Sequence, residues 1–441
     1  MMAPPLKLGI AGLGTVGAEL VRLLRANRDQ LGGRCGRLIE IAGVCARDRG
    51  RGRGVDLSDY AWFDDPVTLA TERKVDVFVE LIGGEEGAAR ASVEAALGAG
   101  THVVTANKAL LATHGAALAA MAEQSGVALN YEAAVAAAIP VVKVLREGLA
   151  GNRMTRVSGI LNGTCNYILT VMEREQREFD DVLAEAQALG YAEADPEFDI
   201  GGHDTAHKLA ILTSLAFATR PALGDVYIEG ITKVTLHDIR AVDQLGYRIK
   251  LLGVAQDTGN GIEQRVHPTL VSKSSPIADV GGAFNAIVIE ADAAGSLMLE
   301  GQGAGAAPTV SAVISDIVDI ACGGKRAVFG TQASDLATYQ RARMRAHEGG
   351  YYIGLKAHDR PGAVAGIAKA MADQSISLES IIQRADPDEA GDVAPDGESR
   401  SMPVALVTHE TNEAAIRTAL ETIRADGHIA EPPHMIRIEQ I

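Results

Sequence analysis

Within fewer than twenty positions the chain places Tyr191, Glu193, Asp195, Asp199, Asp204 and Lys208 together, in the stretch that opens Gly190-Tyr191-Ala192-Glu193-Ala194-Asp195-Pro196. Asp204 and Lys208 stand directly before the apolar run Leu209-Ala210-Ile211-Leu212, which reads as a buried helix. At i,i+4 spacing the two charges share one helical face. A lysine beside carboxylates at the edge of a core has the chemistry to bind an amino acid and to move a proton. The same pattern also suits a solvated acidic loop followed by a helical ion pair, and this stretch alone does not separate the two. His203 and His207, four apart on the same helix, have the spacing of a zinc pair, but no third ligand accompanies them.

A second constellation, Gly12-Leu13-Gly14-Thr15-Val16-Gly17, is a GxGxxG at the junction of a strand and a helix. Its glycines let the backbone approach a pyrophosphate, which the helix N-terminus then stabilises. In that strand-turn-helix context the motif predicts dinucleotide binding rather than a merely tight turn. The next strand ends Val44-Cys45-Ala46-Arg47-Asp48-Arg49. Arg47 stands where a guanidinium would grip a 2′-phosphate, which predicts NADP with NAD tolerated; a solvated basic loop from Arg47 to Arg53 is the competing reading.

The elements that must position these groups follow from apolar patterning. Strands are expected at 6–11, 39–46, 75–81, 102–105 and 127–131, with helices at 15–26 and 88–97 between them, a βαβ rhythm that implies a largely parallel sheet. The middle section reads as strands at 153–160, 248–255, 267–273 and 286–292, with long helices at 162–174 and 204–219. A glycine-rich turn, Gly301 to Gly305, precedes an alanine-rich helix at 308–321. From about Gly349 a βαββαβ order emerges, the ferredoxin-like arrangement, interrupted by an Asp-, Glu-, Gly- and Pro-rich insert at 385–401 that reads as a loop. The expected division is 1–138 for a Rossmann-type NAD(P)-binding domain, 139–335 for an α+β substrate and dimerisation domain whose part 301–335 returns to the nucleotide domain, and 349–441 for the ferredoxin-like unit.

With 441 residues the chain has room for about three domains. Its formal net charge of −16 and scattered basic residues argue against nucleic acid or an anionic membrane as partner. Cys35, Cys45, Cys165 and Cys322 are far apart in the sequence and show no metal or redox spacing, as expected of reduced thiols. No signal peptide or membrane span is evident, and a cytoplasmic location is expected.

The segments Gly12–Gly17, Glu80-Leu81-Ile82-Gly83-Gly84, Val103-Val104-Thr105-Ala106-Asn107-Lys108 and Gly159-Ile160-Leu161-Asn162-Gly163-Thr164 together resemble the homoserine dehydrogenase family. So do Gly190 to Asp195 with Asp204 and Lys208, and Gly303-Ala304-Gly305 with Pro308-Thr309, all in the same order along nearly the whole chain. The C-terminal unit, with Asp359-Arg360-Pro361-Gly362, resembles an ACT domain. The resemblance implies reversible, NAD(P)-dependent interconversion of L-homoserine and L-aspartate 4-semialdehyde in threonine, methionine and isoleucine biosynthesis. It implies that the cofactor lies on Gly12, Leu13, Gly14, Thr15, Val16 and Gly17 and beside Ile82, Gly83, Thr105 and Lys108, with Gly303 closing the nicotinamide side. Substrate contacts fall on Thr164, Tyr191, Glu193, Asp199 and Asp204, and proton transfer on Lys208. Read from the residues themselves, Lys108, which follows a strand end on the cofactor side, serves as a second cation. A homodimer or homotetramer is implied, with an amino-acid effector, threonine, at the ACT unit.

Three departures stand out. The family holds a monovalent cation, Na+ or K+, on a glutamate and a glycine-rich turn, here Glu132, Val135, Ala137 and Ile139, but alanines occupy 136–138. Alanine is strained wherever φ must be positive, so only a weak cation dependence is expected. No proline follows Gly83-Gly84, and Cys165 stands in place of a threonine.

Overall fold

The structure, a computed structural model, describes residues 3–342, 348–383 and 401–441. Its first sheet comprises β1 (Ala3–Ala11), β2 (Arg37–Cys45), β3 (Ala61–Phe63), β4 (Val77–Glu80), β5 (His102–Thr105) and β6 (Leu129–Asn130), in the order β3-β2-β1-β4-β5-β6. Every pairing is parallel. This is the doubly wound nucleotide-binding order, in which ligands settle at the carboxyl ends of the strands. Central strands of such a sheet are covered on both faces, and all four residues of β4 are accordingly buried. The three-residue β3 was too short to leave a pattern in the sequence.

The helix Ala306–Ala321 returns to this domain. Its Val310, Val313 and Ile317 join Leu20 and Val21 of the helix Thr15–Ala26 in one apolar cluster. There Cys322 comes beside Cys35, although the two are distant in sequence; burial first, and then this neighbour, push the Cys35 thiol up.

The second sheet contains β7 (Met154–Ile160), β8 (Tyr227–Ile228), β9 (Tyr247–Asp257), β10 (Ile262–Ser272), β11 (Phe284–Ala291) and β12 (Gly295–Gln302). Its core order is β12-β11-β7-β9-β10, with β8 against β10. One correction concerns β12: the strand runs through Gly301 and Gln302, and only Gly303 to Gly305 form the turn. The cause is full antiparallel pairing with β11, from Phe284 opposite Gln302 to Ala291 opposite Gly295, a tertiary contact that overrides glycine's weak strand preference. Helices Phe179–Ala188 and Leu236–Gln244 also went unread.

The C-terminal unit adds β13 (Glu348–Gly349), β14 (Tyr351–His358), β15 (Leu378–Gln383), β16 (Ser401–Thr408), β17 (Thr411–Asn412) and β18 (His434–Glu439). β13 and β17 pair with each other. The other four follow the ferredoxin-like order β18-β14-β16-β15, and Ile367, Met371, Ile416 and Ile423 of the helices Ala363–Asp373 and Glu413–Ala425 are buried against them. Ser401 opens β16; the rest of the expected insert, 385–400, lies outside the described residues. β18 pairs in parallel with β10, from Thr269 opposite Arg437 to Val271 opposite Glu439, so the two units share one continuous sheet. Beside the seam, Arg437 is buried and bonded to Glu413 at 2.9 Å. Among the described residues no helix is long and apolar enough to cross a membrane.

Candidate active site

The glycine motif divides its labour. A Cβ at Gly12, whose φ is +93°, would meet the Leu81 carbonyl oxygen at 2.3 Å, and one at Gly17 would meet the Gly12 carbonyl oxygen at 2.0 Å. Both positions are closed to any side chain. At Gly14, which precedes the helix Thr15–Ala26, a Cβ would meet nothing within 4 Å. That open face adjoins a cleft of about 390 Å³ lined by Gly14, Thr15, Arg22, Arg51, Arg53 and Ala306. Polar helix start, room and cationic rim fit a dinucleotide's phosphates. Arg53 donates to the Leu13 carbonyl at 3.2 Å, tying the basic loop to the motif. Arg47 lies two residues beyond β2, exposed, and is not among the residues lining this cleft. The sequence reading missed Arg51 and Arg53 as individuals because a run of arginines does not say which of them turns inward.

Across the sheet, β4 ends in Glu80, whose buried carboxylate accepts from Ile82 N at 2.7 Å and Gly83 N at 3.0 Å. Those bonds shape the turn expected beside the cofactor. Thr105 is buried at the end of β5, and Lys108 is the first residue of the helix Lys108–Gln124. An ammonium at a helix N-terminus opposes the helix dipole, so a carboxylate must offset it. Asp204 does: Lys108 Nζ lies 3.2 Å from Asp204 Oδ1.

Asp204 is in the first turn of the helix His203–Phe217 and is almost wholly buried. Its Oδ2 accepts from Lys208 Nζ at 2.7 Å and from Asn162 Nδ2 at 2.9 Å. Burial pushes this carboxyl up, but Lys208 and Lys108 and the hydrogen bonds from Lys208 and Asn162 outweigh it and hold Asp204 well below the usual carboxylate range. Lys208 also donates to the Leu161 carbonyl at 2.6 Å, so two of the three donors of its ammonium are committed. Asn162 caps the helix Gly163–Glu175 through Cys165 N at 2.8 Å, while its Nδ2 also reaches Asp199 Oδ1 at 2.8 Å. Burial pushes Asp199 up, against that hydrogen bond.

Thr164 Oγ1 donates to the Tyr191 carbonyl at 2.7 Å, and the Tyr191 ring, 47% exposed, packs on Tyr167 at 4.7 Å. Glu193 is exposed, and among the described residues no hydrogen bond joins its carboxylate to the cluster. The cysteine at 165 is buried and directs its thiol to the Asp199 carbonyl at 3.2 Å. His203 and His207 pack against the Phe198 ring. Asn162, a hub of the cluster, was quoted in a motif but not read as a site residue. Its cap position was legible from Asn-Gly-Thr before a helix, whereas its reach to two distant carboxylates was not.

Gly303 and the segment 132–139 adjoin each other. A Cβ on Gly303 would lie 2.0 Å from Asn285 Nδ2, so any side chain there would have to displace the Asn285 amide. Ala138 N donates to Gln302 O at 3.2 Å. Ala137 has φ 44° and ψ −106°, the positive φ at which alanine is strained. Glu132, buried with Val135, Ala137 and Ile139, directs its carboxylate oxygens to Val142 N at 2.8 Å and Lys143 N at 2.9 Å. Asp316 accepts from Glu132 N at 2.8 Å; burial and the Glu132 charge push its carboxyl up to about 8.

A cleft at the Gly12–Gly17 turn, together with the cluster of Lys108, Asp204 and Lys208, marks a dinucleotide-dependent oxidoreductase. Residues 12–132 match the model of the homoserine dehydrogenase NAD-binding domain, 140–318 that of homoserine dehydrogenase, and 351–427 that of the ACT domain. The chain is 42% identical to the homoserine dehydrogenase of Neisseria gonorrhoeae, and 42% to that of Pseudomonas aeruginosa, each over 99% of both chains. A solved homoserine dehydrogenase from Thiobacillus denitrificans covers 100% of both chains with a TM-score of 0.91 and 40% identity. A hyperthermophilic archaeal homoserine dehydrogenase in complex with NADPH covers 71% of this chain and 97% of its own, with a TM-score of 0.62 and 26% identity. The chain belongs to the homoserine dehydrogenase family and carries a C-terminal ACT domain.

Proposed function

We propose that the chain interconverts L-homoserine and L-aspartate 4-semialdehyde, and that Lys208 moves the proton while Lys108 and Asp204 set its surroundings. The observation that carries this reading is Asp204 held between two ammoniums, at 2.7 and 3.2 Å, at the meeting of the nucleotide and substrate domains. The bound dinucleotide supplies the hydride acceptor. On homoserine oxidation Lys208 acts as the neutral amine, takes the hydroxyl proton and becomes the ammonium; in the reverse direction the uncommitted donor of that ammonium gives the proton to the aldehyde oxygen. Lys108 adds a second positive charge where the alkoxide develops. Asp199 and Glu193 receive the substrate ammonium, since ionised carboxylates only accept hydrogen bonds, and Thr164 and Tyr191 line the entrance.

The finer assignments belong to the same proposal. NADP is the preferred cofactor and NAD is tolerated, with Arg47 gripping the 2′-phosphate and Arg51 and Arg53 flanking the cleft. Gly12 to Gly17, Ile82, Gly83, Thr105 and Gly303 complete the cofactor site. A Na+ or K+ ion on Glu132, Val135, Ala137 and Ile139 is structural rather than steeply activating. Threonine binds at the ACT unit of a homodimer or homotetramer in the cytoplasm, and the domains divide at 1–138, 139–335 and 349–441. An initial-rate assay with homoserine against both cofactors tests the reading. Robust oxidation with a higher kcat/KM for NADP supports it, and no turnover with either cofactor contradicts it. Titrating Na+, K+ and millimolar threonine into that assay tests the cation and effector assignments.

A further inference from the structure

Glu80 and Asn107 form a bridge between the cofactor side and the reactive cluster. Glu80 is wholly buried, and among the described residues no salt bridge reaches it. Its charge is instead met by hydrogen bonds: Ile82 N and Gly83 N on one oxygen, and Thr105 Oγ1 at 2.5 Å on the other. Three donors suffice to hold an acceptor-only carboxylate in a dry site. Thr105 Oγ1 in turn accepts from Asn107 N at 3.0 Å. The Asn107 side chain then faces two ways. Its Nδ2 donates to the Gly84 carbonyl at 2.7 Å, closing the far end of the Ile82–Gly84 turn, and its Oδ1 caps the next helix through Leu110 N at 3.1 Å. The residue after this cap is Lys108.

We propose that Glu80 and Asn107 are positioning residues that couple the turn at 82–84 to Lys108, so that a dinucleotide settling on that turn sets the distance from Lys108 to Asp204. This rests on the role given to Lys108 above. The decisive variant is Asn107→Ser. Serine keeps the helix cap but is too short to reach Gly84 O, so the link is cut while the helix start survives. Three readouts apply: steady-state kinetics, fluorescence titration of the reduced cofactor, and hydrogen exchange with and without it.

The coupling predicts that Asn107→Ser falls about tenfold in kcat at saturating cofactor and homoserine, the scale of one lost hydrogen bond. It also predicts that cofactor-induced protection of the amides at 107–112 disappears. Glu80→Gln, which keeps an acceptor for the two turn amides, retains most of the kcat that Glu80→Ala loses. If Asn107→Ser keeps both kcat and protection while Lys108→Ala is crippled, the coupling is overturned and the role of Lys108 stands. If Lys108→Ala itself turns over normally, that role falls and the coupling with it.

Discussion

Lys208 and Lys250 are both buried beside the helix Gly163–Glu175, and each donates to a backbone carbonyl at 2.6 Å, Leu161 O for the first and Val280 O for the second. Two asparagines one turn apart serve them. Asn162 reaches Asp204, the partner of Lys208, whereas Asn166 offers its own Oδ1 to Lys250 at 3.2 Å. The difference lies in the remaining partner. Lys208 has a carboxylate at 2.7 Å, itself shared with Lys108; the hydrogen bonds of Lys250 go only to neutral oxygens. Burial accordingly pushes the Lys250 ammonium down to about 8, and the charges of Glu173 and Asp279, which do not bond it directly, offset only part of that. A buried lysine is therefore not in itself a site. What distinguishes Lys208 is a counter-charge, a second ammonium and a position at the meeting of two domains.

The sharpest way to break this contrast is to remove the carboxylate. Asp204→Ala leaves the buried Lys208 ammonium without its carboxylate and beside the partly exposed Lys108, and turnover should fall by about 100-fold or more. Chemical denaturation should show a loss on the order of 3–5 kcal/mol, the usual cost of stranding a buried charge. Retained turnover would mean that Lys208 needs no partner.

The asparagines provide a matched pair. Asn162→Ala frees Asp199 and Asp204 from their shared donor and should lower kcat about tenfold, the effect of a lost hydrogen bond to a charged group. Asn166→Ala removes an acceptor of Lys250 and should leave kcat within about threefold while lowering the melting temperature by a few degrees. Equal kinetic effects would erase the distinction between the two lysines.

The smallest effect is expected from Lys250→Met, which should keep homoserine turnover within about threefold. Its signature is the pH dependence of stability. The folded pKa of Lys250, about 8 against an ordinary 10.5, means that the folded state bears the full cost of a buried ammonium below pH 8. That cost fades as the pH rises toward 10.5, where the unfolded chain loses its proton too. Wild type should therefore gain stability relative to Lys250→Met between pH 8 and 10.5, by roughly 1–3 kcal/mol. A difference that stays flat across this window would show that Lys250 is not perturbed.

How much of this could be read from the chain follows the range of each interaction. The pairing of Asp204 with Lys208 was legible because it lies within one helical turn, and GxGxxG was legible because its strand, turn and helix are contiguous. The partnership of Lys108 with Asp204 joins residues from different domains, and nothing in the sequence paired them; the chain marked Lys108 only as a second cation after a strand end. Lys250 left no trace: within the strand Tyr247–Asp257 it looks like any alternating polar residue, and only the fold turns it inward. The seam between β10 and β18 was equally hidden, because an edge strand's pattern does not name its neighbour. At Ala137 the sequence raised the right question, whether positive φ is required, and the backbone supplies the answer, φ 44°.

The central claim is that Lys208 transfers the proton, and single-turnover reduction of the cofactor by homoserine in Lys208→Ala tests it most directly. With cofactor affinity measured separately and found within about twofold of wild type, the account predicts hydride transfer slowed by about 100-fold or more at neutral pH. A Lys208→Ala enzyme that binds cofactor normally and turns over at a near-normal rate would contradict it.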